Sequence, residues 1–131
     1  MAKITLGVKP KTFKPFDITF PLPDGEEGKI HVTYKYRTLT EWAQLNDEVF
    51  RNAAQPAKTG ADPAVGFLES LMAHGNNQKV EFLLKAIETW DVEGHDIDRE
   101  TLLQLADELP AAVTALKTGY DTACRDGRLG N

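Results

Sequence analysis

The residues best suited to chemistry in this chain sit in one acidic loop: Asp91, Glu93, His95, Asp96 and Asp98. Carboxylates and an imidazole at alternate positions are the donor set of a calcium or transition-metal site. The spacing does not support that reading. With Asp91 as the first position of a calcium loop, the sixth position, where glycine makes the sharp turn, is Asp96. The twelfth, where a bidentate glutamate closes the site, is Leu102. The acids fit another purpose better, because carboxylates just before a helix favour its positive N-terminal end. His31, His74 and His95 lie far apart in sequence and show no zinc spacing. Cys124 is the one cysteine, so no internal disulfide can form. Its place on an apolar helical face suits a small buried hydrophobe better than a nucleophile. Lys9, Lys11 and Lys14 interleave with Phe13 and Phe16, a pattern that can stack and neutralise single-stranded nucleic acid. A net charge of −5 argues against that partner and against an anionic membrane surface. No glycine-rich phosphate loop is present, and no catalytic or cofactor residue is assigned.

The elements that carry these residues follow from periodicity. The 131 residues suit one domain. Ile4, Leu6 and Val8 alternate as a short strand. Phe16, Ile18, Phe20 and Leu22 alternate again, and so do Ile30, Val32, Tyr34 and Tyr36. Asp24-Gly25 opens a turn between these two, which predicts a hairpin. Thr38 and Glu41 match a capping box, with the first helix running to about Ala53. Residues 54–61 read as a loop, and Asp62-Pro63 as the start of a second helix. Gly75-Asn76 is the expected stop of that helix. Val80, Leu83, Leu84 and Ile87 predict a third. Asp98 caps a fourth, which ends near Leu109, and Pro110 opens a fifth bearing Val113, Leu116, Tyr120 and either Cys124 or Ala123 on one face. The fold class is therefore α+β: β-rich residues 1–37, five helices over residues 38–126, and a frayed tail at 127–131. Charge divides along the same line, with residues 1–37 at +3 and the rest at −8. No apolar run is long enough for a signal peptide or a membrane span.

A core with caps and turns but no polar constellation points to a binding or assembly protein. Residues 90–120 sharpen this. Trp90-Asp91, the acidic loop, a leucine-rich helix, Leu109-Pro110, an alanine-rich helix and Tyr120 together resemble the C-terminal part of phage tail assembly chaperones. The resemblance extends over residues 90–131, loosely over the N-terminal strands and residues 34–45, and not over residues 52–78. It implies a non-enzymatic phage or prophage protein of the host bacterial cytoplasm, working without cofactors. Its implied partners are the tape measure protein and the tail tube protein, the latter through a longer form made by ribosomal frameshifting. Leu129-Gly130-Asn131 can be encoded as CTG GGA AAC, which contains a slippery heptamer. A homo-oligomer is compatible with such a role; a structural tail component retained in the particle is the alternative. A partner's helices would need an apolar surface. The expected one is a groove between the C-terminal helices near Trp90, Leu102, Leu109, Val113 and Tyr120.

Overall fold

The computed structural model describes residues 6–7, 9–53, 67–92 and 94–126. Strand β1 (Phe16–Pro21) and strand β2 (Glu27–Tyr34) form the expected hairpin, with Phe16 opposite Val32 and Ile18 opposite Ile30. At its tip the Asp24 carboxylate accepts from the Glu26 amide, and Gly25 takes a φ of 90° that suits glycine. The alternation runs on to Tyr36, but the strand ends at Tyr34. Beyond it, Thr12 bridges to Lys35 and the Phe13 amide donates to the Tyr34 carbonyl. Phe13 is buried by this pairing. Ile4 and Val8 lie outside the described residues, while Leu6 and Gly7 form a turn.

Helix α1 (Leu39–Ala53) starts as its capping box requires. The Glu41 amide donates to the Thr38 hydroxyl, and the Thr38 amide donates to the Glu41 carboxylate. Those hydrogen bonds hold the Glu41 carboxyl below its ordinary range. The predicted loop at 54–61 and the helix start at Asp62-Pro63 lie outside the described residues.

Helix α2 (Phe67–Ala86) corrects the expected pair of helices to a single one, so the described residues hold four helices. Gly75-Asn76 does not stop it. Gly75 lacks the positive φ of a terminating glycine, and no described atom comes near a side chain built there. A glycine inside a helix costs only about 1 kcal/mol. Burial of Val80, Phe82, Leu83 and Ala86 in the following turns exceeds that, at ~1.5–3 kcal/mol for each large side chain. The helix gives way without a loop to strand β3 (Ile87–Trp90), where a helical continuation was expected. This strand adds to β2 antiparallel, with Val32 opposite Trp90, giving the sheet order β1-β2-β3.

Helix α3 (Arg99–Glu108) and helix α4 (Pro110–Asp126) follow the sequence closely. Asp98 is the N-cap, accepting from the Thr101 amide at 2.7 Å, a bond that lowers its carboxyl pKa. Leu109 is the C-cap. Helix α4 lies across the core face of the hairpin, with Ala112, Val113, Leu116, Tyr120, Ala123 and Cys124 buried.

Gly119 permits that close approach. A Cβ at this position would stand 2.7 Å from Ile18 Cδ1 and 3.1 Å from the Tyr34 hydroxyl. Neither neighbour is free to retreat: Ile18 is buried, and the Tyr34 hydroxyl is bonded to the Leu116 carbonyl at 2.7 Å. Glycine to alanine within a helix ordinarily gains about 0.5–1 kcal/mol. Here Gly119→Ala is expected to lower stability by roughly 1–3 kcal/mol, because overpacking outweighs that gain. Urea denaturation decides it; a midpoint at or above the parent's contradicts the close contact.

Candidate partner-binding groove

The buried aromatic cluster fixes the position of everything around it. Tyr120 packs against Phe13, Tyr34 and Phe82, with ring centroids 6.3, 5.2 and 5.6 Å away. Its hydroxyl donates to the Lys35 carbonyl at 3.0 Å and accepts from Arg37 at 2.9 Å. Arg37 also donates to the Lys85 carbonyl, so one guanidinium ties the segment after β2 to α2 and α4. Each buried hydroxyl thus has a partner.

Burial pushes the pKa of Tyr34 and of Tyr120 far above the ordinary tyrosine range. Burial raises the Cys124 thiol as well, which removes the thiolate a nucleophile needs. The tyrosine shifts fix the sign of an alkaline transition. Above about pH 10 the unfolded chain sheds tyrosine protons that the folded chain retains. Stability from these two groups is complete below about pH 10 and is lost as pH rises beyond it. The ultraviolet signal of Tyr34 and Tyr120 ionisation should therefore appear only together with loss of helical circular dichroism. Ionisation of both in a chain that stays folded would contradict their burial.

The five residues expected at a partner surface separate into two groups. Leu102, Val113 and Tyr120 are core, at 0%, 1% and 0% exposure. Trp90 and Leu109 are half-buried and line a common groove between β3 and α3. Trp90, Val92 and His95 form one wall. Thr101, Gln104, Leu105, Glu108 and Leu109 form the other. The second wall follows i, i+3, i+4, i+7, i+8, which is one face of the helix. The groove holds about 140 Å³. The Trp90 indole N–H donates to the His95 carbonyl at 3.0 Å, which ties His95 back to β3. Leu105, Gln104 and Glu108 were missed as groove residues. Their i+3, i+4 and i+7 relation to Thr101 is visible in the sequence, but nothing there shows which face of α3 is turned outward.

A second apolar surface runs along α1, where Leu39, Ala43 and Phe50 share a face; Leu39 and Phe50 are 56% and 66% exposed. Among the described residues, no three His, Cys, Asp or Glu side chains of the acidic loop or elsewhere are placed to hold an ion. Of its members, Asp98 caps α3, and the Asp91 carboxylate accepts from the His31 amide at 2.8 Å.

A family model described as phage tail assembly chaperone matches residues 1–131, the whole length of the chain. The chain belongs to this family. The match takes in residues 52–78, which the sequence resemblance left uncovered. No curated protein and no solved structure matches. Phage tail assembly chaperones are in general not enzymes. Family membership implies protein partners in tail assembly. Among the described residues no helix is long and apolar enough to cross a membrane.

Proposed function

We propose that this phage tail assembly chaperone binds the tape measure protein in the host cytoplasm and helps bring tail tube subunits to it. The observation that carries the reading is the family match over the whole chain. The proposed contact surface is the groove at Trp90 and Leu109, the two expected partner residues that reach the surface. An apolar groove with one helical wall suits a helical client. Tube recruitment belongs to a longer, frameshifted product. Codons at residues 129–131 that cannot form a slippery heptamer would remove that part.

The test is co-expression with the tape measure protein of the same phage, scored by solubility and co-purification. A soluble complex is the expected result. A tape measure protein that precipitates with both the short and the longer product sinks the proposal. So does finding this chain in purified particles, since a chaperone leaves the finished tail.

A further inference from the structure

Charge around the groove carries more information than its shape. Residues 91–109 contain seven acids and one base, a net of −6. The remaining residues sum to +1, so this segment accounts for the acidity of the entire chain. Its one base, Arg99, is paired with Glu81 on α2. Asp96, Glu100, Asp107 and Glu108 are exposed, and none takes part in an ion pair among the described residues. Glu100, Asp107 and Glu108 stand at i, i+7 and i+8 on α3, along the edge of the stripe that lines the groove. Like charges gathered beside an apolar surface cost folding energy through mutual repulsion. An oppositely charged partner relieves that repulsion and is steered toward the site.

The volume narrows the partner further. At about 140 Å³ the groove is close in size to an engineered cavity of ~150 Å³ that takes a benzene ring. That volume has room for one large apolar side chain.

We infer that the groove between β3 and α3 receives a basic amphipathic helix, which inserts one leucine- or phenylalanine-sized anchor and sets lysines or arginines against Glu100, Asp107 and Glu108. This rests on the proposed chaperone role for its setting, and it names the class of client segment the site takes. The client is a protein helix because the same acids repel nucleic acid and anionic lipid.

The probe is a pair of synthetic amphipathic helices with identical leucine spacing, one with a lysine polar face and one with glutamates. Each is titrated into the isotope-labelled chain. The lysine peptide is expected to shift the Trp90 indole and the Leu105 and Leu109 amides, with the Trp42 indole as an internal control. Added salt should weaken it, and the glutamate peptide should bind at least about tenfold less tightly. Glu100→Lys with Glu108→Lys, both exposed and outside the core, should cost the lysine peptide a similar factor while leaving the circular dichroism unchanged. Equal affinity for the two peptides, shifts centred on Leu39 and Phe50 of α1, or peptide-independent pairing of two copies through the groove would each overturn the inference. Co-expression separates this from the chaperone role. A tape measure protein that co-purifies equally with parent and charge-reversed chains leaves the role standing and removes the groove. Groove binding of the lysine peptide without tape measure binding does the reverse.

Discussion

Replacing Tyr120 with alanine should leave the protein largely unfolded. The ring contacts Phe13, Tyr34 and Phe82, so its removal opens a cavity beside β2, α2 and the segment before β1. Truncations of large buried aromatics cost about 3–5 kcal/mol. The lost hydroxyl adds a second penalty, because the Lys35 carbonyl loses its donor and Arg37 loses one of its two acceptors. A buried group left unpaired costs about 1–3 kcal/mol. Together these rival the ~5–15 kcal/mol that holds a typical domain folded. Tyr120→Phe keeps the ring and loses only the hydroxyl, so it should stay folded with a loss of about 1–3 kcal/mol. Circular dichroism and urea titration of the pair separate packing from hydrogen bonding. A cooperative alanine variant with a near-parental midpoint would show that the aromatic cluster is not the keystone.

Leu102→Ala is expected to destabilise by about 2–5 kcal/mol, because its side chain is wholly buried beneath α3. Leu109→Ala should cost much less stability, since Leu109 lies half-exposed in the groove. The contrast matters for any partner assay. Weakened binding by a Leu102 variant reports unfolding, whereas weakened binding by Leu109 or Trp90 variants with parental denaturation curves reports contact. Equal stability losses at Leu102 and Leu109 would contradict the division between core and groove.

Legibility of the fold followed the range of the signals. Thr38, Glu41 and Asp98 announce helix starts through hydrogen bonds to residues a few positions away, and Pro110 does so through its fixed φ and missing N–H; all four stand where the sequence places them. The hairpin was legible for the same reason. Gly75-Asn76 misled because a local penalty was read as a stop, although burial of the following turns outweighs it. Ile87 misled because it continues a helical spacing from Val80, while its true partner is Tyr34, far away in sequence. The lining of the candidate groove was half legible. Apolar residues of the C-terminal helices were identifiable as a set, but Leu102 and Leu105 differ only in which way α3 is rolled against α4. That roll is a tertiary fact, absent from any periodicity.

The bonds from the hairpin to α4 also set a schedule for synthesis. Tyr34 finds its acceptor at Leu116, 82 positions later, and Arg37 meets Tyr120 across 83 positions. At ~5–20 residues per second, a ribosome needs roughly 4–17 s to cover such a distance. Throughout that interval the apolar face of the hairpin, Ile18, Phe20, Ile30 and Val32, has no α4 to cover it. The nascent chain is thus most prone to mispairing before α4 emerges, and only then does this helper of other proteins cease to need help itself.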